Sequence, residues 1–319
     1  MYSDNMINLN SNRSINSPFP TLEGTGLDFD IDTTEIYLPE PYGSHDQPCF
    51  DKKAVVKLND DGTPNDFWVV GTDYYHKTHT LFFNTIEDQI VNHFDPNHLR
   101  DVKVITRSSR NGRWGLRDYT FPNVSVKITS KQTSFETTIE LRIIAWNGLD
   151  SLTANNYLLG AIDNYCLNGC VWTQGNEEDW TKVKRRNTKL FDMDQFATEL
   201  GHAAEIFYHR SKEFQTMADT ALPLVTAFEF IEKLELSESK KKGLKDLTTN
   251  EFGVRGGNIF ALHSAFTQYS SHKNEDYFRT RTLKYEDSEP EVMFKREEEV
   301  LNILTSKAWK DLVEHNVAA

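Results

Sequence analysis

Residues 102–128, VKVITRSSRNGRWGLRDYTFPNVSVKI, decide the fold. Three apolar-polar alternations, Val102 to Arg107, Gly115 to Phe121 and Val124 to Ile128, read as strands because side chains alternate faces along an extended chain. Asn111-Gly112 supplies a tight turn between the first two, and Pro122-Asn123 a second turn. Working outward, Thr137 to Ile144 alternates in the same way. Upstream, Ala54 to Leu58 and Phe67 to Gly71 form short strands. His79 to Phe94 carries Phe82, Ile86, Ile90, Val91 and Phe94 at helical spacing and ends at Asp95-Pro96-Asn97. The expected object is an antiparallel meander with a helix packed on one face.

After Trp146-Asn147-Gly148 the pattern turns helical. Helices are expected at Leu152 to Leu167, Asp192 to Met217, Ala221 to Leu234, Ser237 to Leu247, Ile259 to Tyr269 and Pro290 to Leu304. The fold class is therefore α+β, with no internal repeat. Residues 1–50 read as a flexible acidic arm with one short strand at Glu35 to Leu38, residues 51–148 as an α+β region and residues 149–319 as a helical region. Residues 50–319 can equally form one domain.

Charge is segregated along the chain. Between Arg100 and Lys131 stand eight Lys or Arg against two Asp, and Lys182 to Lys189 contains five cations and no acid. These two segments carry +6 and +5, so of the whole-chain formal charge of −13 the remainder holds −24. Nine acids face a single Arg13 between Asp4 and Asp51. Such segregation predicts a local surface for a polyanion on a body that repels polyanions elsewhere. Arg107, Arg110, Arg113 and Arg117 bracket the Asn111-Gly112 turn and would hold phosphates, with Trp114 and Tyr119 stacking unpaired bases. Lys182, Lys184, Arg185 and Arg186, in a loop before a long helix, would extend the same site. The competing reading makes the hairpin arginines structural ion pairs, places Trp114 in the core and leaves the second run as a solvated linker.

No G-x-G-x-x-G, G-x-S-x-G or H-E-x-x-H is present. Arg255-Gly256-Gly257-Asn258 precedes a helix but lacks the lysine and spacing of a phosphate loop. Cys166 and Cys170 would need His202 or His209 to complete a zinc set, and a buried thiol pair at a helix end capped by Gly169 is simpler. No cofactor and no metal is expected. Three cysteines suggest a reducing compartment, no run of 18 apolar residues exists, and the N-terminus resembles no signal peptide, so a cytoplasmic setting without membrane contact is expected.

Arg142-Ile-Ile-Ala-Trp-Asn-Gly-Leu-Asp150, Gly160 to Cys170 and Arg185-Arg-Asn-Thr188 resemble a family found in phages and plasmids and catalogued as a domain of unknown function (number 932). Cys166-Leu-Asn168 matches its Cys-x-Asn portion, although Ile162 stands where the family usually has Arg. Ala261 to Phe266 and Tyr269 to His272 resemble its closing segment. The resemblance spans roughly residues 65–275 and implies a phage or mobile-element origin, without an activity or catalytic residues. The order helix, basic hairpin, helix is also similar to the core of phage single-strand annealing proteins of the Erf and RecT class, which oligomerise around a basic groove. The expected function is single-stranded nucleic-acid binding, single-stranded DNA first, assisting recombination or replication by annealing in the cytoplasm of a host cell, as a homo-oligomer. The alternatives are a metal-dependent nucleic-acid or nucleotide-processing enzyme using Cys166, Cys170 and a histidine, and a protein-binding module that inhibits a host factor, with the acidic arm as nucleic-acid mimic.

Overall fold

The structure is a computed structural model that describes residues 17–37, 48–75, 77–164, 168–171, 182–185, 199–278 and 289–317. It is α+β, with two antiparallel sheets and seven α-helices among the described residues. The smaller sheet has the order β1 (Ile31–Tyr37), β2 (Pro48–Leu58), β3 (Pro64–Gly71). The larger runs β4 (Lys103–Ser109), β5 (Trp114–Thr129), β6 (Glu136–Gly148), β7 (Asn155–Asp163). Its far margin is shared by β8 (Asn168–Val171) and β9 (Lys182–Arg185), which pair with successive stretches of β7.

The meander expected from residues 102–144 is present, with one correction. Pro122-Asn123 is not a turn. β5 runs through it, and the register with β6 shifts between Phe121 and Ser125. A proline that cannot donate to the ladder is accommodated by such a bulge. The shift keeps Tyr119 and Phe121 on the same side as Val124 and Ile128, all four buried in the main core.

Helix α1 (His79–His93) begins where Thr78 accepts a hydrogen bond from the Leu81 N–H at 3.1 Å. Its stripe of Phe82, Phe83, Ile86 and Ile90 is fully buried against β5, β6 and β7. Phe207 and Phe214 of α2 (Ala203–Asp219) cover the same sheet face. Four helices follow: α3 (Leu224–Lys233), α4 (Glu238–Arg255), α5 (Ile259–Phe278) and α6 (Glu289–Leu304), and α7 (Lys307–Val317) closes the series. Leu301 of α6 packs on the opposite sheet face, against a cluster of Trp114, Leu116, Ile144, Trp146 and Leu158. Arg142 on that face is clasped by Asp118 at 2.6 Å and by Glu297 of α6 at 3.0 Å. Burial opposes its charge, but the two carboxylates outweigh that and raise its pKa above the ordinary arginine value.

Two boundaries differ from expectation. Within the segment expected as a helix at Leu152 to Leu167, Asn155–Asp163 is the strand β7 and residues 165–167 lie outside the described residues, so the sheet continues past residue 148 instead of giving way to helices there. The acidic arm is also not wholly an arm. Phe19, Leu22 and Leu27 are buried in the main core, and β1 belongs to the smaller sheet. Gly169, expected to cap a helix, lies in β8. No helix of the described residues is long and apolar enough to cross a membrane.

Candidate nucleic-acid interface

The hairpin turn is built for close packing. Arg110, Asn111 and Gly112 all take positive φ, at 52°, 56° and 82°. A Cβ on Gly112 would lie 2.7 Å from the Phe29 ring and 2.8 Å from the Gly26 carbonyl, so only glycine fits under that segment. His79 holds the turn from below. Its Nε2–H donates to the Gly112 carbonyl at 2.7 Å, and Asn147 Nδ2 donates to Nδ1 at 3.2 Å, which requires the neutral ring. Burial, and secondarily the Lys57 charge, depress its pKa to about 4 against the pull of the Gly112 carbonyl.

Each basic residue near this turn has an internal task. Arg110 Nη1 meets Asp150 Oδ2 at 2.8 Å and the Thr153 hydroxyl at 3.2 Å. Arg113 donates to Asp66 Oδ2 at 2.7 Å, and its guanidinium lies 5.2 Å from the Trp68 ring centroid. Burial would raise the Asp66 pKa, but hydrogen bonds from Arg113, Asn111 and the Phe67 N–H together bring it below the usual carboxylate value. Arg117 is fully buried. It pairs with Glu87 of α1, donates to the Pro20 carbonyl at 2.6 Å and to the Thr106 hydroxyl at 3.2 Å. The Tyr119 hydroxyl donates to the same Glu87 carboxylate at 2.9 Å. Burial, reinforced by the Glu87 charge, raises the Tyr119 pKa well above the ordinary phenol value.

The expected exposed groove is therefore corrected. Trp114 and Tyr119 are core residues and offer no ring to a base. Arg110, Arg113 and Arg117 are already neutralised by carboxylates from β3, α1 and the β6–β7 turn. Arg107 is half-buried, opposite Leu116 in the register and so on the sheet face away from Arg117. Arg113 joins the smaller sheet to the larger one through Asp66 of β3. Lys57 donates to the Asn111 carbonyl at 3.2 Å, Trp68 Nε1 to the Leu149 carbonyl at 2.5 Å and the Tyr74 hydroxyl to the Gly148 carbonyl at 2.6 Å, all across the same seam.

The second basic run is placed differently. It is not a loop at Lys182–Arg185 but the strand β9, whose residues Lys182, Val183, Lys184 and Arg185 align with Leu158, Tyr157, Asn156 and Asn155. Arg186 lies outside the described residues, as does Cys166. Between β4 and β9 stand β5, β6 and β7, so about 19 Å separates the two margins. The described parts of the two basic stretches, the β4–β5 hairpin and Lys182–Arg185, share a sheet without meeting in one groove. Among the described residues no three His, Cys, Asp or Glu side chains converge to hold a metal ion.

The acids that neutralise the arginines, Glu87, Asp66 and Asp150, were not singled out in the sequence. Their separations from Arg117, Arg113 and Arg110 are 30, 47 and 40 residues, and no local spacing signals such pairs. No protein-family model, no curated protein and no solved structure matches this chain.

Proposed function

We propose that this protein binds single-stranded nucleic acid without covalent chemistry and assists recombination or replication by annealing, with the contact running along β9 instead of the hairpin. The observation that carries this reading is β9 itself: three cations in four residues, with no acid, laid at a margin of the larger sheet. Among the described residues β9 pairs with β7 alone, and its lysines and arginine add the charge a phosphate chain requires. The resemblance of Arg142–Asp150 and Gly160–Cys170 to the phage and plasmid family supports a mobile-element setting for such an activity.

The test is a salt titration of a fluorescent single-stranded oligonucleotide against the wild-type chain and the variant Lys182→Glu/Lys184→Glu/Arg185→Glu. Neutralising three phosphates on a single strand contributes about −2 to the log–log salt slope. The variant is expected to lose about that much slope while its melting temperature holds. Equal slopes in the two proteins, or no salt-dependent binding by the wild type, overturn the reading.

A further inference from the structure

The smaller sheet has one face on the seam and one face in solvent. Trp68, Val70 and Val55 point inward and are buried. The alternate positions form an outer grid fixed by the register. One row is Asp32, Val56 and Phe67, and the next is Thr34, Ala54 and Val69. The third holds Lys52 and Gly71, with Phe50 beyond it on β2. Phe67 is 65% exposed, Val69 49% and Phe50 92%. Phe67, Val69 and Phe50 thus form a small exposed apolar cluster on one antiparallel face.

We infer that this face is a two-fold interface between two copies of the chain. The grid is self-complementary. A two-fold axis across the middle row stacks Phe67 of each copy over Gly71 of the other. The space above Gly71 is empty, because a Cβ there would meet nothing nearer than the Asp51 carbonyl at 3.9 Å. The same operation carries Lys52 of one copy beside Asp32 of the other, so opposite charges flank the apolar centre on both sides. Ala54 and Thr34 in the middle row are small enough for the sheets to approach the usual spacing of about 10 Å. A nucleic-acid strand fits less well, because the exposed acid Asp32 shares this face with Lys52. The face measures about 14 by 17 Å, far below the roughly 800 Å² per partner of a standard interface. The pair is therefore weak and forms only at high concentration. It requires no part of the nucleic-acid reading.

Sedimentation velocity of the full chain from about 1 μM to about 1 mM tests it, a range that spans weak association constants. The wild-type mean mass is expected to rise toward that of two chains. Phe67→Asp removes the central anchor and is expected to weaken association by about tenfold or more. Gly71→Leu, which fills the recess, weakens it too. Lys52→Asp weakens it, and Lys52→Asp with Asp32→Lys restores it, a rescue that a folding defect would not produce. A wild-type chain that stays single throughout overturns the inference. So does association that ignores Phe67→Asp and Lys52→Asp, or association that needs added single-stranded oligonucleotide.

Discussion

Arg117 shows what one residue identity conceals. In the sequence it is one of four arginines around a turn and reads as a phosphate ligand. In the fold it sits with Glu87 and Tyr119 beneath α1, its guanidinium saturated by a carboxylate, a carbonyl and a hydroxyl. The pattern of arginines was legible, but their partners were not, since pairing depends on which elements the sheet brings together. The bland alternative, structural ion pairs with Trp114 in the core, is what the geometry holds. Arg117→Met removes the guanidinium that pairs with the buried Glu87 carboxylate. Removing one member of a buried pair costs about 3–5 kcal/mol, and urea unfolding of the variant is expected to show a loss of that size. A loss under about 1 kcal/mol would place Arg117 in solvent.

At the element scale, strands flanked by strong turn signals were readable and β7 was not. Within β7, Tyr157 to Ile162 is apolar on both faces because helices cover one side and α6 the other, so its pattern lacks the alternation that marks a half-exposed strand. A continuous apolar run of that length reads as a helix until pairing with β6 is known. The same ambiguity does not affect the α4–α5 junction, where two glycines three positions apart behave oppositely. Gly256 ends α4 at φ 86°, and a Cβ there would lie 2.9 Å from Gln132 of the β5–β6 loop. Gly253, inside α4 and exposed, has nothing within 4 Å. Gly253→Ala is expected to stabilise by about 0.5–1 kcal/mol through helix propensity, and Gly256→Ala to destabilise by about 1–3 kcal/mol through backbone strain. Chemical denaturation of the two variants reads both signs, and the same sign for both would contradict the junction described.

For the whole molecule, the α+β class followed from periodicity, but the division at residue 148 did not hold, because a sheet can run through a change in local pattern. Nor does charge segregation along the chain carry over to the surface as expected. Its hairpin cations stand in internal pairs, Arg117 with Glu87 and Arg113 with Asp66, and Arg142 and Arg255 are likewise enclosed with Asp118, Glu297, Asp163 and Glu251. The consequence is testable through salt. Had the basic ribbon been exposed and held by the acidic remainder, screening would strip stabilising attraction and lower the melting temperature. Salt scarcely reaches the buried pairs Arg117–Glu87 and Arg255–Asp163, the surface pairs Lys127–Glu136 and Lys131–Asp219 contribute little, and what salt chiefly screens is mutual repulsion on a body of net charge −13. Raising sodium chloride from about 0.05 M to about 0.5 M shortens the screening length from about 14 Å to about 4 Å. The melting temperature is expected to hold or rise across that range in a scanning calorimeter. A clear fall would mean that exposed ion pairs contribute more to stability than the buried ones.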